Sequence, residues 1–261
     1  LEALRWHIIR SVVAVLVIEI IAFLNKNFVF DTVFLGPAKL DFWTYKQLCS
    51  LSHAAGMGNE LCASTMGFTL INTRLAGQFM MHISMSFTLG LVLAFPYAAW
   101  ELWRFFKPAL SASERNYTRG IVFASSVLFL SGVAFGYYII TPIAVQFLGN
   151  YTLSEAIDNK ITVSDYISIV TMTSLSIAIV FELPVVIYFL SKGGLVTPAF
   201  LRRHRRHAIV VILIISAILT PSTDMLSQVM VSIPFLLLYE LSILVSKIVV
   251  QNRERKELLD L

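Results

Sequence analysis

The sequence predicts an all-α polytopic membrane protein with six transmembrane helices, and three observations lead to this fold class. The 261 residues are 57% hydrophobic and only 14% charged, whereas soluble domains contain roughly 25% charged residues. Apolar stretches long enough to cross a bilayer recur along the chain. The basic residues lie beside the ends of these stretches, which is typical of membrane orientation and argues against a nucleic-acid-binding face.

The six predicted spans belong to a single membrane domain over residues 1–261. We place them at residues 8–24, 79–103, 120–140, 166–190, 208–222 and 225–246, with outer loops at 25–78 and 143–162. The aromatic residues of the first outer loop predict a packed cap with short interfacial helices. At about 1.5 Å per residue the fifth span reaches only about 22 Å, so we expect a short helix beside a thinned bilayer or shielded by its neighbours.

The distribution of lysine and arginine predicts the orientation of the chain. The segments on the side of the two termini hold fifteen of these residues, and the opposite segments hold five. Cytoplasmic segments carry the excess of Lys and Arg, so both termini are predicted to be cytoplasmic, N-in and C-in. The sequence starts at Leu1 rather than Met, so we expect a few residues before it. The first span has no small-residue cleavage site, so we expect no cleaved signal peptide.

Proline and glycine positions indicate bent and closely packed helices. Pro96, Pro184 and Pro234 each fall inside a predicted span, where a missing backbone N–H permits a kink. Kinked spans and short fifth and sixth helices favour a curved, concave wall with a thinned side. The sequence has no charged stripe wide enough for a permanent aqueous pore. Gly132 and Gly136 lie four residues apart in span three, a spacing typical of close helix contacts that also occurs by chance in apolar helices.

Two cysteines, Cys49 and Cys62, fall in the first outer loop. In an oxidising periplasm they would close a 14-residue segment by a disulfide. Two buried free thiols are an alternative that the sequence leaves open.

The sequence contains no pattern typical of catalysis or metal binding. We find no nucleophile paired with a base, no metal-ligand cluster and no phosphate-binding loop, so we expect no enzyme and no cofactor. His82 is interpreted as a packed or hydrogen-bonded residue rather than a ligand. The informative residues are acids in or beside the spans, where an ionisable group usually faces protein or water: Glu2, Glu19, Glu101, Glu114, Glu182, Asp224 and Glu240.

Three of these acids have structural as well as functional interpretations. Ser111 and Glu114 have the spacing of a capping box before span three. Glu114 also offers a carboxylate among cytoplasmic cations, to which an arginine side chain can bind by two parallel hydrogen bonds. Glu182, in the cytoplasmic half of span four, is either a buried hydrogen-bond partner of another helix or a functional group. Asp224 has the position of an N-cap for span six.

Four motifs resemble those of TatC, the core integral-membrane subunit family of the twin-arginine protein translocase. They are LEALR at residues 1–5, WELWRFFKPALSASER at 100–115, FELPV at 181–185 and LTPSTDMLSQ at 219–228. The resemblance extends over essentially the whole chain, and the second motif, with its proline and Glu-Arg pair, is specific. It implies a concave six-helix membrane protein that takes part in protein export.

The resemblance also implies which residues are functional. A cytoplasmic patch for signal peptides would comprise Glu114, Arg115, Phe105, Pro108, Glu2 and Arg5. The family usually has glutamate at the position of Ala3, and a helical offset of one residue turns the side chain of Glu2 by about 100° from that direction. The helix faces that meet the single-span partners TatA and TatB would include Glu182, Asp224, Gln228 and Glu240.

The function implied by the resemblance is Sec-independent export of folded proteins that carry twin-arginine signal peptides. The implied partners are TatA/TatB-like single-span proteins, the signal peptides, the lipid bilayer and further copies of the chain in a homo-oligomeric receptor complex, with no nucleic acid. Transport would use the proton gradient, without a cofactor, in the bacterial cytoplasmic (inner) membrane. The alternative is a small proton-coupled secondary transporter that uses Glu19, Glu182 and Glu240. Such a transporter should contain an internal repeat, and we find none.

Overall fold

A computed structural model describes residues 2–54, 67–106, 118–152, 154, 159–220 and 225–259. Helices dominate these ranges: α1 Glu2–Leu24, α2 Trp43–Ala54, α3 Gly77–Phe106, α4 Thr118–Phe135, α5 Thr141–Asn150, α6 Val163–Phe181, α7 Leu183–Lys192, α8 Pro198–Arg203, α9 Arg205–Leu219 and α10 Met225–Leu259. Two π-helical segments, Phe28–Phe34 and Gly136–Ile140, and a 3₁₀ turn, Gly36–Ala38, join some of them. The strands β1 Thr69–Ile71 and β2 Lys160–Thr162 pair in parallel.

Within the described ranges, five helical segments are long and apolar enough to cross a bilayer. They are Leu4–Leu24, Gly77–Phe105, Gly120–Asn150, Val163–Lys192 and Gln228–Asn252. These segments match five of the six predicted spans in order. The predicted fifth span corresponds to α9, which has 15 residues and is shorter than the others, as expected from the sequence. A complete sixth crossing therefore stays a prediction. The prediction of a short sixth helix is wrong, because α10 continues well past residue 246 and has 35 residues.

The third predicted span continues ten residues beyond its expected end. Helical structure was expected to stop at Ile140, before Pro142, but it runs on through α5 to Asn150, so the second outer loop starts later than predicted. Pro142 has no N–H for the carbonyl of Tyr138, which therefore needs another donor. The hydroxyl of Thr44 in α2 donates to this carbonyl, and the continuous helix is stabilised by the cap above it.

Of the three prolines predicted to lie inside spans, only Pro184 coincides with a helix break. The helix of span four stops at Phe181 and resumes at Leu183, with Pro184 in the first turn of α7. Proline fits this position because the first N–H groups of a helix have no intrahelical acceptor. Pro96 and Pro234, by contrast, lie within the continuous helices α3 and α10.

A cap of short helices covers one end of the bundle, the end predicted to face outward, as the aromatic residues of the first loop predicted. The hydroxyl of Tyr45 lies 2.9 Å from the carbonyl oxygen of Pro37 and 3.0 Å from that of Pro142. Burial raises the pKa of Tyr45 above its ordinary value, so this phenol remains a hydrogen-bond donor. Tyr166 of α6 donates to the carbonyl of Phe34 at 2.7 Å. These bonds fasten the cap to the membrane helices.

The structure shows the state of one of the two cysteines, for which the sequence left a disulfide and free thiols open. Cys49 in α2 is disulfide-bonded, so the free-thiol alternative does not hold for this residue. The sequence has one other cysteine, Cys62, which lies outside the described residues.

Close contact between α4 and α6 confirms the packing role of the two glycines in span three. A Cβ added at Gly132 would lie 2.7 Å from the Cα of Ala178, and one at Gly136 would lie 2.8 Å from the Cα of Ser174. Such distances leave no room for a side chain because the neighbouring atoms belong to backbone. The glycines therefore allow the two helices to approach at backbone distance.

Four contacts bring the ends of separate helices together at one end of the bundle, which we call the inner end. His7 of α1 bonds to Glu101 near the end of α3. Trp103 of α3 packs against Phe189 of α7, with ring centroids 4.6 Å apart. Two further bonds tie α10 to this end: Ser191 donates to Ser246, and Tyr239 donates to the carbonyl of Leu201. The start of α1 and the second half of α10 thus lie at the same end.

Candidate functional site

The antiparallel pair α1 and α3 forms the part of the inner end that carries two of the sequence motifs. The helices approach closely at Gly90, where an added Cβ would lie 2.9 Å from the carbonyl oxygen of Val15. This approach fixes the spacing of the pair. Three turns further along α3, the side chain of Glu101 reaches α1.

Glu101 is a carboxylate buried between the two helices, with 1% of its surface exposed. Its Oε2 lies 2.5 Å from Nδ1 of His7. Its Oε1 accepts a hydrogen bond from the hydroxyl of Tyr97 at 3.2 Å and lies 3.8 Å from a guanidinium nitrogen of Arg104. A buried carboxylate is stable only when donors surround it. The two hydrogen bonds and the nearby guanidinium explain how α3 can carry an acid at the α1 contact.

The bond from His7 to Glu101 also brings Phe105, one of the residues predicted to bind the signal peptide, close to α1. The ring of His7 meets the ring of Phe105 edge to face, with centroids 6.2 Å apart. Glu2 and Arg5, five and two residues before His7 on α1, are exposed. The structure therefore places Phe105 beside the first turns of α1. Pro108, Glu114 and Arg115 of the predicted patch lie outside the described residues.

His7 and Tyr97 are site residues that the sequence analysis missed. Tyr97, Glu101 and Arg104 have spacings of four and three residues, which place them on one helix face, so their grouping was visible in the sequence. His7 had no such signal because its partner is on another helix. Among the described residues, no cluster of His, Cys, Asp or Glu is arranged to hold a metal ion.

Glu182 occupies the break between α6 and α7 and is bonded to another helix. The Oγ of Ser125 in α4 lies 3.0 Å from each of its two carboxylate oxygens. Ser125 is buried and Glu182 is half-buried. A hydroxyl has one proton to donate, so it serves one oxygen at a time. The sequence analysis gave a hydrogen bond to another helix as one interpretation of Glu182, and the structure contains this bond.

We expect Glu182→Gln to retain more stability and transport than Glu182→Ala. Glutamine keeps a carbonyl oxygen for the Ser125 hydroxyl, whereas alanine leaves a buried donor unpaired, which costs about 1–3 kcal/mol. The measurement is thermal unfolding in detergent together with export of a folded reporter.

Ser125→Ala, alone and combined with each Glu182 variant, is the control for this prediction. The loss of stability and transport caused by Glu182→Ala should be smaller in the Ser125→Ala background, because the hydroxyl that Glu182 pairs with is already absent. Equal losses in the Gln and Ala variants would show that ionisation, rather than the hydrogen bond, is what matters.

The other predicted intramembrane polar residues occupy two separate places. Gln228, in the first turn of α10, donates from Nε2 to the carbonyl of Leu213 in α9 at 3.1 Å. Glu240 accepts from Arg205 at 2.7 Å, and both side chains are about half exposed. Asp224 immediately precedes α10 but lies outside the described residues. The structure therefore does not bring Gln228 or Glu240 together with Glu182 in one polar cluster.

Comparison with known proteins decides the family. The family model described as Sec-independent protein translocase protein (TatC) matches residues 1–234. The chain belongs to the TatC family. It is a subunit of the Sec-independent protein translocase, in a non-enzymatic membrane family whose members work with other Tat subunits.

Curated TatC proteins from several bacteria are similar over most of their length. The chain is 39% identical over 249 residues to the TatC protein of Blattabacterium sp. subsp. Periplaneta americana (strain BPLAN), covering 94% of this chain and 92% of the relative. It is 34% identical over 215 residues to that of Koribacter versatilis (strain Ellin345), covering 82% and 78%. Family membership therefore rests on the whole chain and not on the motifs alone.

Solved TatC structures have the same fold. A crystal structure of the twin arginine translocase receptor TatC in DDM has a TM-score of 0.71 and 30% sequence identity, and the match covers 94% of this chain and 98% of that one. A second crystal structure of the TatC receptor has a TM-score of 0.66 and 29% identity. The helical arrangement described above is thus the arrangement of a TatC subunit.

Proposed function

We propose that this TatC-family subunit binds twin-arginine signal peptides at its cytoplasmic face and exports folded proteins with single-span TatA/TatB-like partners, driven by the proton gradient. The observation that carries the proposal is the contact of His7 with Glu101 and Phe105. This contact joins α1, just after its N-terminal motif, to the end of α3, within the motif at 100–115 that also contains Glu114.

The inner end offers the chemistry that a pair of arginines requires. Glu2 is exposed on the first turn of α1, and Glu114 follows the end of α3 by eight residues in the sequence. Carboxylates bind guanidinium groups by two parallel charge-assisted hydrogen bonds. Phe105 adds an aromatic ring next to which a guanidinium can stack. Arg115, Pro108 and Arg5 complete the proposed patch.

The surface of α9 and α10 is the proposed contact for the single-span partners. Large apolar side chains along α9 are exposed, among them Val210, Ile214 and Ile218. Gln228 lies at this helix pair through its bond to Leu213. We include Asp224, Glu182 and Glu240 in the proposed partner contacts. A polar side chain beside an apolar helix face provides both packing and a hydrogen bond for a neighbouring helix.

The proposed topology has six crossings in a concave bundle, in the bacterial inner membrane, with both termini in the cytoplasm. Two observations support this topology. Lys and Arg are concentrated in the segments on the side of the termini, and the start of α1 and the second half of α10 both lie at the inner end. In the receptor complex we expect more than one copy of the chain.

The test is binding of labelled peptides to the purified chain in mild detergent. We expect a signal peptide with two arginines to bind, and the same peptide with two lysines to bind at least about tenfold more weakly, because lysine lacks the two-pronged guanidinium geometry. We also expect TatA/TatB-like proteins to copurify. Equal binding of both peptides, with no single-span partner recovered, would contradict the proposal.

A further inference from the structure

A groove of about 280 Å³ lies between α1 and α3 near the inner end of the bundle. Both walls are formed by membrane helices, and the lining residues are Trp6, Ile9, Arg10, Val13, Ala14 and Tyr97. Most apolar side chains of α1 are exposed, including Val13 at 51% and Leu16 at 47%. The groove therefore opens toward the bilayer and not toward the interior of the bundle.

Polar and apolar lining residues follow the depth of a phospholipid monolayer. Trp6, Ile9 and Arg10 lie closer to the start of α1, and Val13 and Ala14 lie about one turn deeper than Arg10, at roughly 1.5 Å per residue. Tryptophan and tyrosine favour the headgroup region, since their rings are apolar and their N–H or O–H groups are polar. A cation thus lies at headgroup depth, and apolar walls lie at acyl-chain depth.

The groove carries a net positive charge. Arg10 is the one charged residue among those that line it. Glu101, the carboxylate bonded to the lining residue Tyr97, accepts hydrogen bonds from His7 and Tyr97, and its Oε1 lies 3.8 Å from a guanidinium nitrogen of Arg104. Arg10 attracts the same carboxylate by Coulomb interaction, but among the described residues no ion pair joins it to an acid. Its exposed guanidinium is available to an anion.

We propose that this groove binds an acidic phospholipid of the inner leaflet. The phosphodiester contacts the guanidinium of Arg10, Trp6 and Tyr97 flank the headgroup, and one acyl chain lies along Val13 and Ala14. Basic pockets between transmembrane helices on the cytoplasmic side are suited to anionic headgroups. The apolar walls favour a lipid over a free phosphate, because burial of the CH₂ groups of an acyl chain is favourable and a free phosphate has none.

The test is native mass spectrometry of the full chain in mild detergent with equal amounts of phosphatidylglycerol and phosphatidylcholine of the same acyl composition. We expect the wild type to prefer phosphatidylglycerol by roughly fivefold, as one arginine near the membrane surface contributes about that factor. Arg10→Gln should remove the preference and Arg10→Lys should keep most of it.

Two further variants separate the site from general charge and from folding. Arg206→Gln removes an exposed arginine of α9 that lines no part of the groove, and it should keep the preference. Ala14→Trp fills the acyl position while leaving Arg10 in place, and it should reduce binding of both lipids. Unchanged thermal unfolding of each variant shows that folding is intact.

Three results would overturn the proposal. The first is equal binding of the two lipids to the wild type, and the second is a preference that survives in Arg10→Gln. The third is displacement of bound phosphatidylglycerol by excess inorganic phosphate or by a twin-arginine peptide, which would assign the groove to a free anion or to the signal peptide. Retention of the lipid under both competitors supports the lipid site.

Discussion

Glu114→Ala is expected to weaken binding of a twin-arginine signal peptide by roughly thirtyfold, and Glu114→Lys is expected to abolish it. A charge-assisted hydrogen bond to a carboxylate contributes about 1.5–3 kcal/mol, and about 2 kcal/mol corresponds to that factor. Lysine adds like-charge repulsion against the visiting arginines. Binding of a labelled peptide to the purified subunit measures the effect.

The Glu114 prediction needs a control for charge and for folding. Asp41→Ala removes an exposed acid of the first outer loop, 3.3 Å from Lys46, and changes net charge by the same amount as Glu114→Ala. We expect it to leave peptide binding unchanged. All variants should insert and purify as the wild type does. If Glu114→Lys binds the peptide with wild-type affinity, Glu114 is not part of the binding site, and the patch consists of Glu2 and its neighbours.

Gly132→Ala is expected to destabilise the subunit by about 1–3 kcal/mol, which is typical of overpacking a tight contact. Its added Cβ would lie 2.7 Å from the Cα of Ala178 and 2.9 Å from the Cβ of Phe181. Neither atom can move without shifting α6. A larger side chain, as in Gly132→Leu, should separate α4 from α6 and prevent recovery of folded protein.

A matched control for Gly132 lies in the same helix. A Cβ at Gly120 would meet no heavy atom within 4 Å, and alanine is favoured over glycine in a helix by about 1 kcal/mol. Gly120→Ala should therefore retain or raise stability. Thermal unfolding in one detergent compares the two variants. A Gly132→Ala protein that unfolds at the same temperature as Gly120→Ala would show that the α4–α6 contact is looser than the structure indicates.

The helical architecture was accessible from the sequence because long apolar segments and their flanking charges are local signals. Span order, the short α9 and the helical cap follow from hydrophobicity and aromatic content read along the chain. The close packing at Gly132 and Gly136 was also indicated by spacing alone. The family resemblance, confirmed over residues 1–234, added the expected roles of Phe105 and Glu114.

Features that depend on distant residues could not be predicted. Continuation of the helix past Pro142 depends on Thr44, which lies nearly a hundred positions earlier in the sequence. The β1–β2 pair has three residues in each strand, too few for a periodic signal. The bond between His7 and Glu101 joins two helices, and its consequence for Phe105 appears only once α1 and α3 are packed together.

Site-specific crosslinking tests most directly whether the inner end of α1 and α3 receives the signal peptide. A photoreactive phenylalanine analogue is placed at Phe105 or, as a matched control, at Phe87, an exposed residue of the same helix roughly 27 Å away at about 1.5 Å per residue. We predict that a twin-arginine peptide crosslinks at position 105 and not at 87, and that the twin-lysine peptide crosslinks at neither. Equal crosslinking at both positions, or of both peptides, would contradict a cytoplasmic arginine-binding site beside Phe105.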